Sequence, residues 1–564
     1  MTKKLVENNC VEDENPSLFR KWVPVFILSL ALAIILIDTT LLNVSLGNII
    51  RDLNTDIQSI QWVITAYSLT LAALTITGGR LGDLFGRKKM FILGAALFAV
   101  GSFIASISMN VPTMIVGESI IEGVGAALMM PATASLLVSL YKGRDRGIAF
   151  GIWGGVAAAS TAIGPLLGGW LTTNYSWRWG FRINVVIAAL LILGSFLIKE
   201  CRDTEEKPTL DWPGVILSAS GLFILVYGII ESSTFGWWKA KEVYTLFGQT
   251  YKLWGYSITP FAIAIGAVIL TLFFFWERIV EASGKTPLVS ANIFKNKQFV
   301  AGSVTTGIMA LGQTGLIFVL PVFLQAVRGQ NAFQTGLALL PLSATALVIA
   351  PIGGFLSHKI APKRLIQAGL VLNLAGYIVL QFVLNVNSTA GNFVPALMLM
   401  GAGMGLTMAS ISNLTLSAVS SQQSGEASGV NNTIRQLGGT LGTAVIGAIM
   451  LTAISANLAS GISQSNRIPE QLKTFVSEKV ANQTSNIEFG GGARIPGFVP
   501  KAITDEITQI GHQAITDANK EALNYAIAIA TLGLISSFWL KGGVNIEADE
   551  SLVGKKKTVR QSTS

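Results

Sequence analysis

Glu118 and Glu122 stand four residues apart in "VGESIIEGVGAALMM" (Val116 to Met130), an apolar stretch with no basic residue beside them. Residues at that spacing share one face of a helix. If the stretch crosses a bilayer, an ionised side chain at its centre costs roughly 2.5 to 3.5 kcal/mol, so something has to offset it. Asp38 lies deep in a second apolar run, with Asn43 further along it. Glu426 opens a third run, which also carries Asn431, Asn432, Arg435 and Gln436. Such groups persist inside a membrane against a partner, a water-filled cavity or a bound cation, and desolvation favours the protonated form of a carboxyl. The chemistry they offer is the loading and release of protons and cations.

The elements that must position them are membrane helices. The chain has 564 residues, of which 51% are hydrophobic and 13% charged, and its mean hydropathy is +0.57; soluble proteins carry a charged fraction of about a quarter. Apolar runs of about 20 residues, each long enough for a hydrocarbon core of roughly 30 Å, recur along the sequence. They predict an all-α polytopic fold with about fourteen spans: 23–45, 60–79, 90–108, 112–138, 148–171, 181–199, 213–231, 256–276, 299–325, 334–357, 365–387, 393–417, 426–455 and 522–541. Length and continuity favour helices over a barrel. With both termini in the cytoplasm, about 26 basic residues fall inside and about 12 outside, the arrangement that the positive-inside rule selects. The net charge of +9 is then a topological bias and asks for no nucleic acid.

Met1 to Arg20 is polar and runs into a full-length span, so the first helix is read as its own anchor and no cleavable signal is expected. Cys10 and Cys201 both fall on cytoplasmic segments, and with only His358 and His512, both in loops, neither a disulfide nor a structural metal site is expected. No Walker loop, nucleophile elbow or dinucleotide fingerprint occurs, so neither enzymatic activity nor a cofactor is expected.

An internal repeat organises the spans. "GGRLGDLFGRKKMF" (Gly78 to Phe91) recurs in outline as "GGFLSHKIAPKRLI" (Gly353 to Ile366), displaced by 275 residues. "GVGAALMMPA" (Gly123 to Ala132) echoes "GAGMGLTMAS" (Gly401 to Ser410), and "GVAAASTAIGPLLGG" (Gly155 to Gly169) echoes "GVNNTIRQLGGTLGT" (Gly429 to Thr443), at nearly the same offset. Ordered echoes at one spacing predict duplicated halves that rock around a midplane site. The organisation predicted is a tail at 1–22, an N-terminal six-helix bundle at 23–199, a linker with two inserted helices at 200–298, a C-terminal bundle at 299–541 holding an outer loop at 456–521, and a basic tail at 542–564, whose "GKKKTVR" reads as headgroup contact.

These residues carry a family resemblance. "GGRLGDLFGRKK" resembles the signature loop of the major facilitator superfamily, and "GGVAAASTAIGPLLGG" resembles the Gly-Pro motif of its proton-driven antiporters. "IDTTLLNVSLG" (Ile37 to Gly47) and "EASGVNNTIRQLGGTLG" are similar to the fourteen-span drug:proton antiporter branch, which includes quaternary-ammonium efflux pumps. The resemblance implies a cell-membrane protein, expected to be a monomer, that exchanges protons for a small-molecule substrate among membrane lipids. Asp38 matches the acidic position of the family's first span. The fourth span departs from the family: Ser119 stands where an arginine is usual and Glu122 where a glutamine is usual, with Glu118 added.

Each motif has a physical reading of its own. In the loop, Gly78, Gly79, Gly82 and Gly86 permit a tight turn and close helix approach. Asp83 is suited to a helix N-terminus or a neighbouring arginine, and Arg87, Lys88 and Lys89 to anionic headgroups; together they would latch one conformation. In span five, Gly164, Gly168 and Gly169 leave a smooth face, and Pro165 removes a backbone hydrogen bond and bends the helix, as a gate requires. Asp38, Glu118, Glu122, Glu426 and Arg435 are the expected proton and substrate coupling residues. Asn43, Trp62, Tyr67, Trp153, Asn431 and Asn432 are placed along the path. Blander readings have Glu426 capping span thirteen, Glu122 pairing with Arg435, and Glu231 and Glu277 at the interface. Three functions fit: an efflux antiporter for cationic or amphipathic compounds, an exporter of lipid or another endogenous product, and a transport-inactive sensor or scaffold.

Overall fold

With no water in a bilayer core to receive backbone hydrogen bonds, long apolar runs satisfy their peptide groups internally, as helices. The computed structural model describes residues 18–55, 57–200, 209–241, 244–246, 249–251, 255–357, 359–469, 473 and 501–541. Its first helices are α1 (Leu18–Asp52), α2 (Ile57–Phe85) and α3 (Arg87–Ser106). A continuous rod follows, made of α4 (Val111–Met114), a π-helical segment (Ile115–Glu122) and α5 (Gly123–Leu140). Next come α6 (Gly143–Asn174), α7 (Arg178–Ser195), α8 (Trp212–Ile230), the short α9 (Ser232–Phe235) and α10 (Thr259–Ala282). The remainder is α11 (Ala291–Lys295), α12 (Lys297–Ala326), α13 (Ala332–Leu356), α14 (Pro362–Val383), α15 (Ala390–Leu416), α16 (Ser424–Gln464) and α17 (Lys501–Ser536).

Each of the fourteen predicted spans falls on a long helix, while composition confirms fewer than fourteen of them as membrane-crossing. Twelve helical stretches among the described residues are long and apolar enough to cross a membrane, or thirteen if the bent α6 counts as one. The ninth prediction coincides with α12, a 30-residue helix that is not among them. Among the described residues the regular structure is helical except for a hairpin of two three-residue strands, β1 (Tyr244–Leu246) and β2 (Gln249–Tyr251), between α9 and α10.

Helix starts follow capping chemistry. Asn110 Oδ1 accepts from Thr113 N at 2.9 Å ahead of α4. Asn296 accepts from Gln298 N and Phe299 N ahead of α12, and Asn331 with Gln334 forms a capping box on α13. The two largest buried apolar clusters draw mainly on α1 to α8 and on α12 to α17. Helices from the two groups meet along α6 with α13 and along α2 with α16.

Two further expectations are refined. Glu277, expected at a span end, is 2% exposed, and its Oε2 accepts from Val289 N at 3.3 Å. The outer loop is partly an extension of helices. At 1.5 Å per residue, the 41 residues of α16 and 36 of α17 run to about 60 and 54 Å, beyond a hydrocarbon core of roughly 30 Å. Their overhangs pack through Leu458, Ile462, Ile507 and Ala514, and Arg467 pairs with Glu506 at 3.2 Å. Cys10, Cys201, His358, the segment "FGGGARIPG" and the basic tail lie outside the described residues.

Candidate functional site

Asp38 on α1 and Glu118 and Glu122 on the π-helical segment converge in the interior. All three are 0% exposed, and one carboxylate oxygen from each lies within 4.8 Å of the others. Asn184 on α7 donates from Nδ2 to Asp38 Oδ1 at 2.6 Å and to Glu122 Oε1 at 3.4 Å. Both oxygens of Glu118, Asp38 Oδ2 and Glu122 Oε2 have no hydrogen-bond partner in the protein, and neither do the buried Tyr67 hydroxyl on α2 and the Ser102 hydroxyl on α3. Charges at 4.8 Å repel by roughly 3 to 4 kcal/mol per pair at an effective dielectric near 20, so all three cannot ionise together without a counterion. The arrangement can hold protons or a cation.

The π-helical segment explains how the glutamates reach one target. Residues four apart share one face of the segment, so both side chains leave it toward the same neighbours. Glycines let the wide turn fit: a Cβ on Gly101 of α3 would stand 2.5 Å from Glu122 N, and one on Gly117 would stand 2.8 Å from Ala105 N. Ser119, at the position where the family carries arginine, is buried and donates to Val63 O at 2.7 Å.

A second constellation joins α2 to α16. Asp83 accepts from Gly425 N at 3.1 Å and Glu426 N at 2.8 Å, the exposed amides of the α16 N-terminus. It also accepts from Arg87 Nε at 3.1 Å and Nη2 at 2.9 Å. Arg87 reaches Ser139 Oγ and Ser421 O as well, and Arg80 pairs with Glu426 at 3.4 Å. Arg87 is therefore corrected from a headgroup contact to a buried link, 4% exposed. Lys88 stays peripheral, its amide on Glu200 and its ammonium over the Phe196 ring. Gly86 turns the chain between α2 and α3 at φ +108°, a conformation that favours glycine.

The helices in this seam touch backbone to backbone. A Cβ on Gly425 would lie 2.5 Å from Gly79 O, and one on Gly429 would lie 3.0 Å from Thr75 O. The repeat reproduces the contact, since a Cβ on Gly147 of α6 would stand 2.8 Å from Gly354 O of α13 and one on Gly151 would stand 2.7 Å from Ala350 O. Gly425→Val is expected to wedge α2 from α16 and to lower efflux at least about tenfold, on the order of 1.4 kcal/mol. Transport assayed at matched surface expression checks this.

The remaining expected residues scatter. Arg435 is partly buried and donates only to Met130 Sδ at 3.9 Å, so Glu122 is partnered by Asn184 rather than by Arg435. Asn431 and Asn432 are buried on α16, Asn432 donating to Ser428 Oγ at 3.3 Å. Trp62 is 44% exposed and stacks on Tyr227 of α8. Trp153 is buried, donating to Thr133 Oγ1 at 3.3 Å. Nothing is described of the Asn43 side chain. Gly164 and Gly168 face Thr40 and Leu41 of α1, Gly169 faces Phe333 of α13, and α6 bends by 42° between Ser160 and Ile163, next to Pro165. Asn184 and Ser102 were missed; an asparagine inside the otherwise apolar "RINVVIAALL" was the available signal.

A family model described as "Major Facilitator Superfamily" matches residues 28–443. The chain belongs to the Major Facilitator Superfamily. It is thus a multi-pass membrane transporter rather than an enzyme. Among curated superfamily relatives, the tetracenomycin C resistance and export protein of Streptomyces glaucescens is 28% identical over 77% of this chain and 77% of its own. The multidrug resistance protein Stp of Mycobacterium tuberculosis is 26% identical over 90% of this chain and 89% of its own. The crystal structure of the human organic anion transporter MFSD10 (TETRAN) covers 92% of this chain and all of its own, with a TM-score of 0.53 at 12% identity, a likeness of fold alone.

Proposed function

We propose that this superfamily member exports cationic or amphipathic compounds across the plasma membrane in exchange for protons, with both termini in the cytoplasm. The reading rests chiefly on the three buried carboxyl groups gathered within 4.8 Å with one amide donor between them. A cluster that cannot ionise fully is one in which proton release and cation arrival are coupled by charge balance. The printed names of the relatives, which speak of resistance and export, supply the cargo class. Residues 23–199 and 299–541 act as rocking halves, with the Asp83 constellation holding one orientation and the α6 bend at Pro165 serving as a gate.

The test uses purified protein in weakly buffered detergent solution with a pH-sensitive dye. Adding a quaternary-ammonium compound is expected to release protons saturably, and reconstituted vesicles should accumulate the compound when an outward-driving proton gradient is imposed. A protein that binds the compound with no proton released, and whose vesicle uptake ignores the gradient, is not this antiporter.

A further inference from the structure

The cluster that couples cargo to protons is too small to hold the cargo itself. Oxygen atoms of Asp38, Glu118 and Glu122 lie within 4.8 Å of one another. Bare hard cations bind oxygen at about 2.0 to 2.6 Å, so oxygens no more than 4.8 Å apart can share one such ion. A methylated ammonium has no N–H to donate and holds oxygens off at the radius of its methyl groups. It would force the three helices apart at Gly101 and Gly117, where the backbones already touch.

A second, independent group lies nearby. The Tyr67 hydroxyl is buried, has no hydrogen-bond partner, and is within electrostatic reach of all three carboxyls. Ser102 Oγ on α3 is likewise buried and unpartnered. No lysine or arginine is paired with any of the three acids among the described residues, and Arg435 is committed to Met130. The oxygens left over are hard donors from four elements, without a sulfur or imidazole to favour a softer metal.

We infer that Asp38, Glu118 and Glu122, near the buried Tyr67 hydroxyl, form a binding site for a bare, hard metal cation, and that organic cargo binds elsewhere. The inference rests on reading this cluster as the coupling site. It adds that a metal ion competes with protons for the same oxygens, so that metal and proton displace one another.

The experiment is equilibrium binding of radioactive Na⁺ and Ca²⁺ to the purified full-length protein in a buffer whose only other cation is an organic amine. Saturable binding of one of them is expected at about one ion per chain, weakened as the pH falls. Glu118→Gln and Glu122→Gln should each lower the affinity at least tenfold. Glu118→Asp, which keeps the charge and shortens the reach, should lower it less, and retention on size exclusion with an unchanged ion-free melting temperature shows that each variant is folded. Failure of both ions to bind saturably, or binding that survives Glu118→Gln and Glu122→Gln, overturns the inference. Cargo-induced proton release, measured on the same preparation, separates the two readings. Proton release without ion binding leaves a proton-only cluster and sinks the metal site alone, whereas ion binding without proton release upholds the metal site and sinks the antiport.

Discussion

Glu118→Gln together with Glu122→Gln is expected to stop proton-coupled efflux while the protein still folds and reaches the membrane. Glutamine preserves the length and shape of both side chains, so the close approach of α3 to the π-helical segment through Gly101 and Gly117 is undisturbed. It also removes two members of a buried group whose mutual repulsion opposes folding, and so costs little stability. What disappears is the capacity to exchange a proton for positive charge. Each single substitution leaves Asp38 with one acidic neighbour and is expected to lower the efflux rate about tenfold; the pair should lower it at least about a hundredfold, on the order of 2.7 kcal/mol in the limiting barrier. Because the three carboxyls act as a unit, the loss in the pair is expected to exceed the product of the two single losses. Drug accumulation and proton release, both normalised to protein recovered as a single size-exclusion peak, measure the effect. Efflux and proton exchange within about twofold of the unaltered protein would remove the carboxyl cluster from the mechanism.

Much of this architecture was legible because membrane helices advertise themselves one at a time. An apolar run of about 20 residues has only one way to satisfy its backbone in lipid, so the fourteen predicted segments land on long helices even though composition secures twelve or thirteen of them. The repeat of Gly78 to Phe91 in Gly353 to Ile366 holds the glycines, Gly79 and Gly354, that meet Gly425 and Gly147 in the twin seams. What the sequence hid were relations between helices. Nothing local to "VGESIIEG" marks a π-helical turn, because its cause is the fit of Gly117 against Gly101 and Ala105 on a neighbouring helix. Asn184 is a lone polar residue in an apolar run, and only the packing of α7 brings it between Asp38 and Glu122. Arg87 was read by its charge as a headgroup contact, yet Asp83, Ser139 and Ser421 together bury it. Trp62 and Trp153 were weighed by type, and type does not say which way a side chain faces on a helix that is apolar all round. The unbroken continuation of α16 and α17 past the bilayer is not legible from hydropathy, because their outer turns are polar and hydropathy marks where lipid ends rather than where a helix does.

The second large effect concerns Asp83→Asn, which is expected to loosen the contact between α2 and α16 without disturbing the carboxyl cluster. Asp83 performs two jobs with one charge. It grips Arg87, four residues along its own stretch of chain, and it caps α16 through Gly425 N and Glu426 N. The grip on Arg87 survives any movement of α16, so its loss affects both orientations alike and shifts no equilibrium between them. The cap exists only when the helices meet. An asparagine oxygen can still accept one of the two amides, but the negative charge at the helix N-terminus is gone, a loss of about 1 to 2 kcal/mol confined to the latched orientation. The equilibrium between latched and open forms is then expected to shift roughly five- to thirtyfold toward open. Arg87→Lys should act in the same direction, because an ammonium cannot span Asp83, Ser139 and Ser421 at once. A background carrying Cys10→Ser and Cys201→Ser allows Ala427→Cys, which is fully buried beneath the contact, to report opening through its rate of maleimide labelling. That rate should rise about tenfold with Asp83→Asn and fall again when saturating cargo draws the halves together. A labelling rate untouched by Asp83→Asn, in protein whose transport has nonetheless changed, would mean that Asp83 serves transport by some route other than holding α2 to α16.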